Sequence, residues 1–289
     1  MSNTDDELAG VPRDQIFILD NEPVRTGLTL SEDKEIPGLM GFADKIGVLS
    51  KDEIAKIIND PKRKAGRKLF DPSWIKNQGR RGSCAAYSGC AALEKTIFMR
   101  GRDSVKLGPE FVYAHVNGGR DSGAQLKHVI QHLESIGCPP SDFVKYESYL
   151  KSQQSPEAFA NAGRFKLLPG EYFGVYSDEE MATAIALNFV MYVACHVTGN
   201  WMRLDGNGVV QPSDGPGNHA IHCDDVRINS QGEYEFDHAG SWPTTYGQQG
   251  RGWTTWKRHY KTTVRYHQFV AIRSSTDDPN GPQLPKKAA

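Results

Sequence analysis

Apolar residues recur at helical spacing in the first half of the chain and gather into short strand-like runs in the second. Residues 50–58 read as a helix with Ser50 as N-cap and Glu53 at the capping-box position. Residues 84–100 read as a second helix ending at Gly101; Ala85, Ala86, Gly89, Ala91 and Ala92 make it thin, so neighbours can pack close on several sides. Further helices are expected over 108–115, over 125–134 with a stop near Gly137, and from a Ser177 cap to about Leu187. From there the period changes. Runs at 189–197, 219–228, 234–238 and 266–272 read as strands, with a turn at 230–232. Helices first and strands second predict an α+β chain of two subdomains, a helical left part and a β-barrel-like right part, with a cleft between them.

The flanks differ from this middle. Residues 1–68 are rich in Asp, Glu, Lys, Pro and Gly and read as an N-terminal arm; 274–289 read as a polar tail, disordered in isolation. The domain proper is expected over 69–273, helical to about 175 and β-rich from about 176. A net charge of −1 over 289 residues gives no electrostatic case for nucleic acid or an anionic membrane. The basic run 61–68 reads as a solvated segment. No apolar stretch is long enough to span a bilayer, and the acidic start is unlike a signal peptide, so a cytoplasmic protein, or one in an intracellularly assembled particle, is expected. Five cysteines without C-x-x-C spacing argue for a reducing compartment and against a structural zinc site. Neither metal nor cofactor is expected: His222, Cys223 and Asp224 follow His219 closely, but strand alternation sends neighbours to opposite faces.

The segment Gln78-Gly-Arg-Arg-Gly-Ser-Cys84 carries the chemistry. A helix N-terminus favours a thiolate. The N–H of Cys84 and the amide of Gln78 form a potential oxyanion hole. A thiol nucleophile needs a base, and His219, at a loop-to-strand junction after the turn-rich 212–218, is the best placed of nine histidines.

The set of motifs, in order, resembles the papain-like cysteine proteases over about 69–273. It comprises Lys76-Asn-Gln78-Gly, Arg81-Gly-Ser-Cys84-Ala, Gly108-Pro-Glu-Phe-Val-Tyr113, Asn117-Gly-Gly119, Asn218-His-Ala220 and Ser241-Trp242 with Gly247 and Gly250. The resemblance implies Cys84 as nucleophile paired as thiolate with imidazolium His219, Gln78 in the oxyanion hole, and Trp242 shielding the histidine. It also implies Gly118 and Gly119, with Gly82 and Ser83, as the backbone that binds an extended peptide.

The sequence departs from that pattern in four places. Gly240 stands at the asparagine that orients the histidine; His238 shares its strand face and is the candidate substitute, whereas Asp237 would need a bulge to reach. Ala85 replaces an aromatic residue after the nucleophile. Arg81 and Val116 stand where the family has a disulfide, and Arg81 is a candidate to meet a carboxylate instead. The arm lacks the helical pattern of the family's propeptide. The expected function is therefore a thiol hydrolase, a cysteine peptidase acting on peptides or proteins. The alternatives are a weakened or inactive papain-fold component of a larger assembly, such as a virion or secretion particle, and an acyl transferase or amidase. The arm, and with it the tail, is read as anchoring to a protein partner; an inhibitory crossing of the cleft and a plain structural extension are the alternatives for the arm.

Overall fold

The strand-like runs of the second half pair into one seven-stranded sheet of order Met40–Gly41, Tyr172–Gly174, Phe269–Ile272, Val190–Cys195, His219–Ile228, Tyr234–Ala239, Arg251–Thr255, antiparallel throughout except between the first two. The computed structural model describes residues 8, 10–30, 36, 39–63, 66, 72–99, 104–266 and 268–273. The tail from 274 and half of the basic run lie outside the described residues, as does Gly101.

In chain order the elements are β1 (Ile16–Leu19), β2 (Glu22–Arg25), β3 (Met40–Gly41), α1 (Phe42–Lys45), α2 (Lys51–Ile58), α3 (Cys84–Met99), α4 (Pro109–Val116), α5 (Leu126–Ser135), α6 (Pro156–Asn161), β4 (Tyr172–Gly174), α7 (Asp178–Ala186), β5 (Val190–Cys195), β6 (His219–Ile228), β7 (Tyr234–Ala239), β8 (Arg251–Thr255), α8 (Trp256–His259) and β9 (Phe269–Ile272). The Ser50–Glu53 capping box forms as read, and the Ser177 hydroxyl accepts from the Glu180 N–H. Several short elements escape the pattern. β1 and β2 are a hairpin within the arm, turned at Asp20 and Asn21, whose positive φ (53° and 65°) suits a two-residue turn. β4, β8 and α6 are too short or too mixed in composition to show a period.

Alternation along β5 produces two cores. Tyr192 and Ala194 face α3, α4 and α5, while Met191, Val193 and Cys195 face the second core with Trp201, Phe236 and Tyr260. The Tyr192 hydroxyl donates to the Ala85 carbonyl (2.8 Å), tying the sheet to α3. Every residue of α3 from Cys84 to Ile97 is buried. The small residues permit this: a Cβ on Gly89 would stand 2.8 Å from Val129 Cγ1. A helix this enclosed holds its first residue, Cys84, at the junction of α3, the sheet and the arm.

β6 carries a bulge between Cys223 and Asp225. The additional residue, Asp224, is buried and pairs with Lys95 of α3 and Arg251 of β8; Arg251 also reaches Asp237 of β7 (2.8 Å). Burial by itself would raise the Asp224 pKa, but the two cations hold its carboxyl below the ordinary carboxylate range.

Candidate active site

Cys84 opens α3 and is fully buried. The Gln78 N–H donates to the Ser241 carbonyl (2.9 Å), and the Ser241 hydroxyl donates to Gln78 Oε1 (2.5 Å). These two bonds clasp the nucleophile's loop to the loop after β7 and fix the amide, so that Nε2 donates to the carbonyls of Arg25 (3.0 Å) and Arg81 (2.6 Å). His219 opens β6. Its neighbour Asn218 is held by paired amide bonds to Val197 (2.8 and 2.9 Å). The imidazole stacks on the Trp242 indole, with centroids 4.5 Å apart and planes 18° apart. A Cβ on Gly240 would stand 3.7 Å from His219 Nε2, so position 240 does lie beside the imidazole.

The arm fills the cleft. Residues 24–28 are buried. The Arg25 carbonyl lies on the Gln78 amide and the Trp242 indole N–H (3.5 Å). The Leu28 N–H donates to the Asn218 carbonyl (3.0 Å), and Leu28 pairs parallel with Ala124. The Ala124 N–H donates to the Gly27 carbonyl (2.9 Å) and the Thr29 N–H to the Ala124 carbonyl (3.1 Å). The approach needs glycine: a Cβ on Gly27 would stand 2.2 Å from the Gly82 carbonyl oxygen, and one on Gly123 2.3 Å from the Gly27 oxygen. Arg25, only 3% exposed, donates to Asp121 Oδ2 (2.9 Å). The Asp121 carboxylate also accepts from the Gly82 N–H (2.9 Å) and the Tyr113 hydroxyl (2.7 Å).

Burial under the arm sets the protonation state. It pushes the Cys84 thiol up to about 11, although backbone groups of Ala220, Gly27 and Ala85 favour the thiolate. It pushes His219 down to about 3. The helix N-terminus, worth about 0.3–1 kcal/mol, is outweighed. Neither imidazole nitrogen has a hydrogen-bond partner among the described residues. The thiolate–imidazolium pair expected from sequence is therefore replaced in this closed state by a neutral thiol and a neutral imidazole.

Burial of histidine makes the protein acid-sensitive. His219 and His132 are pushed down to about 3 and His259 to about 4, in each case chiefly by burial. The unfolded chain takes up these protons near pH 6.5 and the folded chain does not. Stability is thus present above about pH 6.5 and is lost as the pH falls from there towards 4, by up to about 1.4 kcal/mol per pH unit per histidine. Urea midpoints measured from pH 7 to pH 4.5 should fall steadily, and His132→Phe should flatten the slope. A midpoint independent of pH contradicts the account.

Other expected positions fall differently. Gly118 and Gly119 sit in an exposed turn with φ +67° and +80°; the extended segment pairs with Ala124, next to Gly123. Arg81 does meet a carboxylate, as the sequence allowed: its Nη1 is 3.6 Å from Asp121 Oδ2, so an ion pair stands beside the nucleophile's loop, while its guanidinium lies over the Tyr149 ring (4.9 Å). His238 does not orient His219. Its Nε2 bonds the Tyr246 hydroxyl (3.2 Å) and its ring packs on Trp201, while Asp237 turns to Arg251. The register offered the right strand face but not the side-chain partners. Gly82 and Ser83 are buried beneath the arm. A separate cavity of about 450 Å³, lined by residues including Trp74, Lys76, Tyr87, Glu94 and Tyr146, lies off the cleft.

No protein-family model and no curated protein matches the sequence. Solved structures do. Xylellain, a cysteine protease from Xylella fastidiosa, is 18% identical with a TM-score of 0.61, over 86% of this chain and 96% of that one. The fold is papain-like. Bromelain from Ananas comosus, solved with the E64 inhibitor, is 17% identical with a TM-score of 0.53, over 70% of this chain and 93% of that one. Procathepsin L 3 of Tenebrio molitor is 17% identical with a TM-score of 0.53, over 78% and 80%. The papain-like fold agrees with the order of motifs in the sequence. No helix among the described residues is long and apolar enough to cross a membrane.

Proposed function

We propose that the protein is a cysteine peptidase whose own arm closes the cleft. One observation carries this reading: the Gln78 amide, the oxyanion donor in this mechanism, already donates to a peptide carbonyl, that of Arg25, in an extended segment laid past Cys84. Once the arm moves out, water reaches the site and the burial that holds both groups neutral is relieved. The Cys84 proton passes to His219, and the thiolate attacks a substrate carbonyl. The oxyanion is taken by Gln78 Nε2 and the Cys84 N–H, and His219 returns its proton to the leaving amine. Water then hydrolyses the thioester with His219 as base. Trp242 keeps one imidazole face dry.

The test is hydrolysis of a fluorogenic peptide library by the full chain with the arm displaced by Gly27→Val. Turnover should vanish in Cys84→Ala and fall on the order of 100-fold in Gln78→Ala. An opened cleft whose thiol labels freely but which cleaves nothing would leave a binding role for the fold.

Position 240 offers a gain of function. A Cβ there meets His219 and Trp242 at 3.7 Å, ordinary contact, and φ at Gly240 is not in the left-handed region. Gly240→Asn should fold, supply an acceptor near Nε2, and raise kcat about tenfold or more in the opened protein by fixing the tautomer. An unchanged kcat with an intact melting temperature counts against an orienting role for this position.

A further inference from the structure

The arm also shows what the cleft recognises. Arg25 offers its carbonyl to Gln78 and its side chain to a set of acceptors on the other side of the nucleophile's loop. Nη1 donates to Asp121 Oδ2 (2.9 Å) and the Arg80 carbonyl (3.3 Å), and Nη2 to the Asp121 carbonyl (3.3 Å). These acceptors belong to the cleft and not to the arm. Asp121 is fixed independently of Arg25, because its Oδ1 accepts from the Gly82 N–H and the Tyr113 hydroxyl. Tyr113 is itself fixed by accepting from the Gly123 N–H (3.2 Å). A carboxylate and two carbonyls placed around one planar guanidinium match its forked donors; a lysine ammonium has no comparable fork.

We propose that this is a guanidinium-recognition subsite, and that the open cleft takes peptides presenting an arginine side chain to Asp121. The inference rests on the reading of the cleft as a peptide site, but not on turnover. Arg25 then occupies the subsite as a tethered ligand, and an arginine-bearing peptide competes with the arm for the same acceptors. Arg81, 3.6 Å from Oδ2, stays in place when Arg25 leaves and leaves one cation on the carboxylate, so that selectivity comes from the two carbonyls together with the charge.

The experiment uses the full-length Arg25→Ala/Gly27→Val protein, with thiol labelling of Cys84 as the sign that the cleft is open. Binding of N-acetyl-arginine amide and of its uncharged isostere N-acetyl-citrulline amide is measured by calorimetry, with no turnover needed. Arginine should bind about tenfold tighter or more, the scale of a charged hydrogen bond. Adding Asp121→Asn, which keeps the shape and one acceptor oxygen, should remove the preference. If the double variant does not fold, Arg25→Gln keeps the aliphatic stem and serves in its place. Equal affinity for the two amides, a preference that survives Asp121→Asn, or no binding of either in a cleft that labels overturns the proposal. Arginine-selective binding without hydrolysis would sink the peptidase reading alone.

Discussion

Displacing the arm should speed alkylation of Cys84 by iodoacetamide at pH 7.5 by roughly 10-fold to 100-fold. In the native chain Cys84 has no exposed surface, so labelling needs a local opening and its rate follows the open fraction. Arg25→Ala removes the charged hydrogen bond to Asp121, which keeps Arg81, at about 1.5–3 kcal/mol, and each 1.4 kcal/mol moves the open fraction about tenfold. Gly27→Val acts by a different route, since the new side chain meets the Gly82 backbone, which has no rotamer with which to yield. The pH profile should change as well. With the thiol held up to about 11, labelling of the native chain rises about tenfold per pH unit through the neutral range towards that value, because only the thiolate reacts. In the opened variants the profile should level off at much lower pH, where His219 can carry the proton. Mass spectrometry of the labelled peptide at several pH values decides it. Equal rates in native and variant chains, with Cys84 as the labelled residue, would mean that the arm does not guard the thiol.

Asp224→Ala should be the most destabilising single change in the sheet. It strips the shared anion from Lys95 and Arg251, both nearly inaccessible, and leaves two buried cations facing each other across the core. Breaking such a set costs about 3–5 kcal/mol, which for a chain of this size lowers the melting temperature by roughly 10 °C. Arg251 keeps Asp237, so Lys95 bears most of the loss. Adding Lys95→Met should recover a good part of it, as a methionine of similar length needs no counter-charge. Differential scanning calorimetry of the single and double variants measures both. A melting temperature within 2 °C or so of the native value for Asp224→Ala would show that the network is stability-neutral.

Much of the molecule is legible in one dimension because the relevant physics is local. The Ser50–Glu53 capping box, the start of α3 at Cys84 and the β6 run from His219 each follow from residues within a few positions of one another. The spacing of Gln78 and Cys84, and the placement of His219 and Trp242 at loop ends, likewise point to a single cleft. What could not be read depends on pairings across long stretches of chain. Asn117-Gly-Gly119 looked like the peptide-binding edge, yet Ala124 pairs with the arm, since backbone pairing leaves no mark on residue type. Arg81 meets a carboxylate as its type allowed, but that the carboxylate is Asp121 could not be read, because a turn sets which residue comes within reach. The bulge at Asp224 puts its carboxylate at the centre of a buried ion network that no local pattern announces.

The arm shows the division most plainly. Residues 24–28 carry no period, since they are held by backbone bonds, by glycine-to-glycine contact and by one arginine. The sequence by itself determined the longer helices and strands, the papain-like order of motifs and a candidate thiol and imidazole. Only the tertiary structure decided that the arm lies over them, and burial beneath it moves a thiol and an imidazole away from the charged forms that a helix terminus and a neighbouring base would favour.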